Sequence, residues 1–582
     1  MPNLTVRPGP SRREFLKNAA LAAAFLPVTG AASRRALPLS ADQNAGHSAP
    51  EMIEIPQYMT FAALPDRSII GIHGGLDRGN AVARYSSDDG ATWSDPTPLF
   101  ALDTATGSWS LQNTFLDRSG ELQVLASNDA NTIRDKKPFY EIRFDIWHIR
   151  SRDGRRSWNS PVLAWKGYAG SLLSFLELGD GRVVVPFCYL TPRTWANRGT
   201  GFDHFTYMGR FSSSAAYSDD GGQTWHTAPN ELKEPVPQIG DDGGIEPIVL
   251  ELKNGRLWML IRTQNDRFYE SFSDNRGATW THPVPTSILS SDSPCSLSRL
   301  RDGRVVMFWN NTLRYPYANG GRAVLHGAIS EDDGRTWRGY REIAANPLAI
   351  EPPPPNGDHG VTYTVPALTP TGKLITSLST GPGGGTYVLR VDPEWLYETA
   401  RNEDFTKGLG GWTSFGTRGV GLEADPGNQN RQVLAIRKPD EDWPAGAVWN
   451  FPAGRVGTLR LRLRVEPQFG GALIGLTDHF SVPFDDQDKF WNVFSFEIGP
   501  RGVLPQGGRI EPGRWHDVVF DWNCSSRRQC DIAVDGRTLA RVNMQRETAG
   551  ASYLRLRSTA LAHDPDGFRI ASVNVDVGES WK

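Results

Sequence analysis

Cysteine is scarce in this chain, with 4 among 582 residues, and no cysteine–histidine spacing has the pattern of a structural zinc site. A basic excess is also absent, because 62 Lys and Arg stand against 65 Asp and Glu, giving a formal net charge of −3. Proteins that bind nucleic acids usually carry a basic excess or a basic stripe, so this balance argues against a nucleic-acid partner. Stretches with helical periodicity are few, which argues against a helical protein.

Long apolar runs are nearly absent too. One moderately apolar run, from Asn18 to about Gly30, is shorter than the ~20 residues that a membrane-spanning helix needs. It follows the paired Arg12 and Arg13 and ends in small residues, which is typical of a twin-arginine secretory signal. We therefore expect residues 1–40 to be an export signal and linker, with no stable membrane span. The twin-arginine export machinery is the expected partner, and the mature protein is expected in the periplasm or outside the cell.

Turn-forming and aromatic residues are abundant: the chain has 60 Gly, 41 Pro and 19 Trp, which favours an all-β chain. The pattern Ser-x-Asp-x-Gly-x-Thr-Trp begins at Ser86, Ser218 and Ser330, with degenerate copies at Ser151 and Ser273. Its Asp or Asn caps a tight turn, its Gly adopts a positive φ, and its Trp packs beneath the turn. We interpret these copies as structural hairpin turns.

A second pattern, a strand followed by a small polar turn and another strand, alternates with the Trp turns. It occurs six times, around positions 64–69, 117–122, 179–183, 253–257, 301–305 and 370–374. The two patterns define a repeat of about 60 residues, enough for a four-stranded sheet. Six such sheets predict a six-bladed β-propeller over residues 45–400, whose last blade is closed by a strand from the start of the mature chain.

Residues 401–582 predict a second, β-sandwich domain. Leu459–Val465 alternates strictly between apolar and basic residues, as a strand with one buried face does. The segments around Trp515 and Asp531 resemble strands of concanavalin-like (laminin-G-like) jelly rolls, and this leaves both a carbohydrate-binding and a spacer role open. Cys524 and Cys530 flank a turn between two strands and are candidates for a disulfide. Cys188 and Cys295, far apart along the chain, are interpreted as buried thiols.

The Trp turns and the six-fold repeat resemble the sialidase (neuraminidase) superfamily of Asp-box or BNR-repeat propellers, over about residues 50–395. The resemblance is sharper in Ile245-Glu246-Pro247-Ile248 with Arg262 at the end of the next strand, and in Gly360–Leu368. It implies that Tyr363 is the nucleophile, that Glu246 activates it and that Asp77 is the acid/base residue. It also implies that Arg262 and Arg322 bind an acidic group of the substrate.

The chemistry of the implied site is coherent. A sialic acid carries a carboxylate on its anomeric carbon, which would repel an anionic nucleophile but not a phenol. A phenol has a pKa of ~10 and therefore needs a neighbouring base, which Glu246 supplies. Tyrosine nucleophiles of sialidases are a known exception to the two-carboxylate scheme of glycosidases. Arginines offer permanently charged, bidentate contacts to a carboxylate.

The chain departs from the family at one position. Ile53-Glu54-Ile55-Pro56 has Glu54 where the family places the first arginine of the carboxylate clamp. A second carboxylate there would repel an acidic substrate unless an arginine pairs with it. The sequence nevertheless predicts an exported, retaining, sialidase-like exo-glycosidase that releases a terminal acidic sugar.

Several alternatives remain open. The scaffold would also suit a hydrolase or lyase acting on another sugar, such as a uronic acid or a neutral sugar, or a carbohydrate-binding protein without turnover. Glu246 and Arg262 would equally suit a salt bridge at a blade edge, Tyr363 a core position, Arg322 a solvated strand, and Asp77 a loop cap. We find no cofactor motif; calcium remains conceivable at the acidic pairs 241–242 and 485–486.

Overall fold

The computed structural model describes ten stretches of the chain, all of them rich in antiparallel β-structure. They are residues 47–74, 79–129, 144–190, 211–233, 243–313, 321–346, 360–380, 384–414, 418–482 and 486–578. Short 3-10 helices occur at Thr104–Thr106, Pro393–Tyr397, Asp486–Phe490 and Pro500–Gly502. The predicted all-β class is confirmed.

Six small sheets follow one another along the first part of the chain and form the blades of a propeller. Each blade starts with its innermost strand, which lies beside the first strands of neighbouring blades, as β2 lies beside β6 and β23.

The blade strands have the following bounds. Blade 1 contains β2 (Thr60–Ala63), β3 (Ile69–Gly74), β4 (Asn80–Ser86) and β5 (Thr97–Ala101), and blade 2 contains β6 (Ser108–Leu116), β7 (Leu122–Asp129), β8 (Phe144–Arg152), β9 (Ser157–Trp158) and β10 (Val162–Trp165). Blade 3 contains β11 (Leu176–Glu177), β12 (Val183–Leu190), β13 (Phe211–Ser218) and β14 (His226–Thr227), and blade 4 contains β15 (Ile245–Glu251), β16 (Leu257–Arg262), β17 (Arg267–Ser273) and β18 (Val284–Leu289). Blade 5 contains β19 (Ser296–Arg299), β20 (Val305–Trp309), β21 (Val324–Ser330) and β22 (Arg338–Ala345), and blade 6 contains β23 (Ala367–Leu368), β24 (Leu374–Ser379), β25 (Thr386–Val391) and β1 (Glu51–Ile55).

Blade 6 shows how the ring closes. Strand β1, from the start of the described chain, pairs antiparallel with β25, with Glu51 opposite Arg390 and Ile55 opposite Thr386. The predicted closure by an early strand is therefore confirmed. Because β1 belongs to blade 6 and is followed directly by blade 1, this pairing joins the two ends of the propeller chain, and the radial arrangement leaves only short sheet edges.

The Trp turns have the local chemistry that their sequence predicts. In the first copy, Ser86 Oγ donates to Asp88 Oδ1 at 2.8 Å, and the Thr92 amide donates to the same carboxylate oxygen at 2.9 Å. Gly90 has φ +82°, and the Trp93 indole N–H donates to its carbonyl at 3.1 Å. Desolvation would raise the pKa of Asp88, yet hydrogen bonds from Thr92 and Ser86 lower it to about 2.

The second part of the chain forms two packed sheets. The larger sheet contains β26 (Ala400–Glu403), β28 (Val420–Asp425), β29 (Asn428–Lys438), β31 (Val456–Val465), β34 (Trp515–Asn523), β35 (Gln529–Val534), β36 (Arg537–Asn543) and β38 (Asp564–Val577). The smaller sheet contains β27 (Trp412–Ser414), β30 (Gly446–Gly454), β32 (Ala472–Thr477), β33 (Phe494–Ile498) and β37 (Ala551–Ser558). The leucines of β31 are buried while Arg460, Arg462 and Arg464 are not, so the predicted alternation is confirmed.

The structure corrects the prediction of a Cys524–Cys530 disulfide, because both residues are free thiols. Trp522 lies opposite Cys530 in the β34–β35 pair, so Cys524 sits diagonally across from Cys530 on the same buried face. Both side chains pack into the core between the two sheets. Cys188 and Cys295 are also buried free thiols, as the sequence analysis expects.

The propeller and the sandwich share a buried polar interface. Two residues that follow β20 contact the sandwich. Asn311 Nδ2 donates to the Asp478 carbonyl at 2.7 Å, and Thr312 forms an isolated β-bridge with Phe480. Asn450 of the sandwich accepts a hydrogen bond from the Glu342 amide at 2.9 Å. An apolar cluster that includes Val324, Val448, Phe480 and Tyr553 fills the space between these contacts.

A hydrogen-bonded relay crosses this interface. The backbone N–H of Asn311 donates to His326 Nδ1 at 3.0 Å, so the proton of the neutral imidazole resides on Nε2. This Nε2 lies 2.5 Å from the Tyr553 hydroxyl. That hydroxyl donates to Glu342 Oε1 at 2.7 Å. Burial lowers the pKa of His326 to about 3 and raises the pKa of Glu342, so the relay is uncharged at His326 near neutral pH.

Among the residues described, the structure contains no helix with the length and apolarity needed to cross a membrane.

We predict that Tyr553→Phe destabilises the protein by about 1–3 kcal/mol, because it leaves the buried His326 N–H and Glu342 carboxyl without their partner. Chemical denaturation at neutral pH measures this difference. Tyr397→Phe is the matched control, since the Tyr397 hydroxyl donates to Glu331 at 2.8 Å in an exposed setting. Equal stability of the two variants would contradict a structural role for the relay.

Candidate active site

Five side chains meet at one face of the propeller, here called the mouth. It is the face at which the first strand of each blade begins. Glu246 lies at the start of β15, whereas Asp292 and Tyr363 lie shortly before β19 and β23. Arg262 ends β16 and Arg322 precedes β21, and antiparallel pairing returns both to the same face.

A β-bulge presents Glu246. The register of β15 against β16 shifts between Ile245, which lies opposite Arg262, and Ile248, which lies opposite Leu260. Glu246 has φ +47°, a left-handed conformation that is uncommon outside glycine. Pro247 follows it, and a bulge tolerates proline because the ladder there is already interrupted. The bulge turns the Glu246 carboxylate towards Arg262.

Arg262 is the centre of the site. Its Nη1 donates to Glu246 Oε2 at 2.5 Å and to the Tyr363 hydroxyl at 3.3 Å, and its Nε donates to Asp292 Oδ1 at 2.8 Å. Its Nη2 also lies 2.8 Å from Asp292 Oδ1, and the side chain is 1% exposed. Although burial opposes the charge, Asp292 and Glu246 keep the pKa of Arg262 well above its usual value.

Asp292 is a functional residue that the sequence analysis missed. Gln264 Nε2 donates to Asp292 Oδ2 at 2.8 Å, so both carboxylate oxygens have partners. Burial alone would raise the pKa of Asp292, but Arg262 and Arg322 hold it below its ordinary value. Asp292 stands alone in a serine-rich turn, and a single acidic residue in a turn carries no recognisable pattern. A useful signal would have been its position close to the start of the first strand of a blade, which Glu246 and Tyr363 share.

Tyr363 also has a left-handed backbone, with φ +61°. The Tyr58 hydroxyl, from the segment before β2, donates to the Tyr363 carbonyl at 2.8 Å and so connects blades 1 and 6. The Tyr363 ring is partly exposed and packs against the core between blades 4 and 5. Burial of its hydroxyl raises the pKa of Tyr363, while the nearby charges of Arg322 and Arg262 oppose this rise.

Arg322 lies over the Tyr363 ring, with its guanidinium carbon 5.3 Å from the ring centroid. Its Nη2 donates to the Asp292 carbonyl at 2.9 Å. Its backbone carbonyl accepts from the Val361 amide at 2.8 Å, which ties it to the segment that carries Tyr363. The structure therefore brings together the predicted Glu246, Arg262, Arg322 and Tyr363.

Two further residues singled out in the sequence are not among these side chains. Asp77 lies outside the described residues, so only Glu54 can be located. Glu54 is exposed on β1, the outermost strand of blade 6, where it faces Tyr387, so it does not occupy the first position of an arginine clamp. The segment that does reach the site from blade 1 contains Tyr58.

His73 is the penultimate residue of β3 and is buried, with Nδ1 2.9 Å from the Gly74 carbonyl. The acidic residues 241–242 and Asp485 also lie outside the described residues, and in the described part of the chain no group of three or more His, Cys, Asp or Glu is placed to hold a metal ion.

This arrangement suits nucleophilic chemistry at a phenol. One arginine nitrogen lies within hydrogen-bond distance of both the phenol oxygen and a carboxylate oxygen. A cation beside the phenol stabilises its anion, and a carboxylate beside it is a base for its proton. Non-glycine residues with positive φ cluster at functional sites, and here Glu246 and Tyr363 both have one.

The class of fold described above is a propeller built on Trp turns, and residues 141–375 match the family model of a BNR repeat-like domain. The recognition of BNR-type repeats in the sequence is thereby confirmed. A comparison with curated proteins found no match.

Solved structures with a similar fold include sialidases. A sialidase from Trypanosoma rangeli is 15% identical, covers 91% of this chain and 92% of its own, and has a TM-score of 0.39. A Dyadobacter fermentans protein of unknown function is 17% identical, covers 59% of this chain and 96% of its own, and has a TM-score of 0.43. A Hadza microbial sialidase is 15% identical, and the match covers 58% of this chain and 66% of the sialidase, with a TM-score of 0.41.

We predict that Arg262→Met destabilises the protein by about 3–5 kcal/mol, because two buried carboxylates lose their cation. Arg462→Met is the control, since the Arg462–Asp517 pair is 41% and 65% exposed and its loss should cost at most about 1 kcal/mol. Denaturation with urea measures both differences.

The cost of Arg262→Met should also depend on pH. Because the pKa of Asp292 is lowered in the folded protein, its ion pair stabilises the fold above the unfolded pKa of ~3.9, and this contribution is lost as pH falls through the lowered value. The difference between wild type and variant should therefore shrink below about pH 4. A constant difference would show that Asp292 is not paired in solution.

Proposed function

We propose that this protein is a retaining glycoside hydrolase that removes a terminal sugar through a covalent intermediate on Tyr363. The observation that carries the proposal is the shared nitrogen of Arg262, which joins the Tyr363 hydroxyl and the Glu246 carboxylate. The left-handed backbone at both residues supports the proposal, since such conformations cost free energy and persist where function requires them.

The reaction has two steps. In the first, Glu246 takes the phenol proton, the Tyr363 oxygen bonds to the anomeric carbon, and the bond from that carbon to the leaving oxygen breaks. An acid residue protonates the leaving oxygen, and Asp77 remains the sequence-based candidate for it. In the second, the acid residue, now deprotonated, takes a proton from water as the water oxygen attacks the same carbon. The tyrosine oxygen leaves and recovers its proton from Glu246, and two inversions give net retention.

Arg262 and Arg322 supply the electrostatics. Arg262 donates to the phenol oxygen, and Arg322 lies over the ring, so both favour the phenolate that attacks. Arg322 also supports the sequence-based proposal of a terminal acidic sugar, sialic acid or a related one, because a guanidinium at the mouth binds a carboxylate well.

A second substrate class is favoured by a specific contact. Arg262 is already paired with Glu246 and Asp292, which supports a uronic acid or a neutral sugar in place of a sialic acid. A lyase on the same scaffold, and a carbohydrate-binding protein without turnover, are outcomes that the experiments below separate.

We further propose that the protein is exported by the twin-arginine route and meets its glycan in the periplasm or outside the cell. The paired Arg12 and Arg13 before a short apolar run support this proposal.

Tyr363→Phe should reduce turnover at least about 1000-fold, since it removes the oxygen that forms the bond. A panel of nitrophenyl glycosides measures turnover, and Tyr85→Phe is the control because Tyr85 is 39% exposed on blade 1. An activated 2-fluoro glycoside should trap the intermediate, and peptide mass spectrometry should find the sugar on Tyr363. An adduct elsewhere, unsaturated uronides as the only product, or glycan binding without turnover would contradict the proposal.

Tyr58→Phe should lower kcat about 10-fold and leave KM within about twofold. The change removes only the hydroxyl that holds the Tyr363 carbonyl, so substrate still binds while the reacting oxygen is less well placed. Steady-state kinetics on the same glycoside, beside Tyr85→Phe, measure this split. A rise in KM at unchanged kcat would assign Tyr58 to substrate binding instead.

A further inference from the structure

Arg262 is shielded from solvent more completely than the reacting residue. Its side chain is 1% exposed, whereas Tyr363, to whose hydroxyl it donates, is partly exposed. A sugar entering the mouth therefore meets the phenol before it reaches the guanidinium. This placement suits a cation that acts on Tyr363 and does not suit one that grips a substrate carboxylate.

The partners of Arg262 point the same way. Glu246 and Asp292 are two carboxylates around one guanidinium, at 2.5 Å and 2.8 Å. Gln264 fixes the second oxygen of Asp292, so Asp292 is held on both sides. A substrate carboxylate would have to displace a buried ion pair, and breaking such a pair is strongly unfavourable.

We infer that Asp292 withdraws Arg262 from substrate binding and fixes it beside Tyr363 as the counter-cation of the reacting phenol, so that the enzyme acts on glycosides whose anomeric carbon carries hydrogen in place of a carboxylate. The inference rests on the proposed function and names its substrate class. Asp292 is a positioning residue in this scheme, because it acts on Tyr363 through Arg262.

The substrate class follows from where the charges remain. A carboxylate on the anomeric carbon would lie next to the phenol oxygen and so close to Glu246, whose charge repels it, while Asp292 offsets the charge of Arg262. A uronic acid carries its carboxylate on C5, across the ring from the anomeric bond, and a neutral sugar carries none. Either one avoids this repulsion, and Arg322 remains over the Tyr363 ring for a more distant anionic group.

An ultraviolet titration of Tyr363 tests the placement without any substrate. The charged groups that act on its hydroxyl are Arg322, Glu246 and Arg262. Asp292→Asn removes one negative charge from Arg262, so the phenolate becomes more favourable and the pKa of Tyr363 should fall by about one unit. The Tyr363 signal is obtained by subtracting the titration of Asp292→Asn/Tyr363→Phe.

Asp333→Asn is the matched control for this titration. Asp333 also pairs with an arginine at 2.8 Å, Arg299, but lies in a Trp turn between β21 and β22. The Asp333→Asn substitution should leave the pKa of Tyr363 within about 0.2 unit of the wild-type value, since a charge in this turn is screened from the mouth. An unchanged pKa in Asp292→Asn would overturn the inference.

Kinetics on paired substrates test the substrate class. Wild-type kcat/KM should be at least about 100-fold higher for the best nitrophenyl hexoside or uronide than for the nitrophenyl α-ketoside of sialic acid. Asp292→Asn, which removes the charge that offsets Arg262, should raise kcat/KM for the sialoside about 10-fold relative to the hexoside. A wild-type preference for the sialoside would overturn the inference and leave the Tyr363 mechanism intact. Undiminished turnover in Tyr363→Phe would instead overturn the proposed function.

Discussion

The ion pairs of Arg262 are the interaction on which the candidate site depends. A guanidinium that is 1% exposed is tolerated only when carboxylates surround it, and Glu246 and Asp292 do so from two different blades. Their contacts fix the position of the Arg262 nitrogen that donates to the Tyr363 hydroxyl. Tyr363 itself belongs to the segment that leads into a third blade. Positioning the phenol and neutralising the buried charge are therefore one and the same constraint.

The fold was predictable because its signals are local. The first Trp turn makes its hydrogen bonds within eight residues, from Ser86 to Trp93, so the sequence of one segment determines its structure. The six copies of the alternating strand–turn–strand pattern give the number of blades, and Leu459–Val465 shows its buried face in the same local way. The sandwich disulfide failed for the opposite reason, since only the three-dimensional path of β34 and β35 decides how Cys524 and Cys530 face each other.

The site was predictable only in part. Glu246, Arg262, Arg322 and Tyr363 were found through a resemblance, whereas Asp292 gains its meaning from contacts made across blades. Glu54 was misplaced because the closing strand β1 and the inner strand β2 follow one another directly, and the sequence does not show which of them reaches the mouth. Long-range contacts of this kind leave no mark on short motifs.

The positive φ angles of Glu246 and Tyr363 set stability against activity at these two positions. Glycine would adopt the same backbone without strain, so replacing either residue by glycine would relieve the main chain while deleting the reactive group. Drift towards a more stable propeller would thus tend to erase the chemistry, and only selection for the reaction would preserve both side chains. Inactive descendants of this scaffold should therefore be recognisable by glycine at one or both sites.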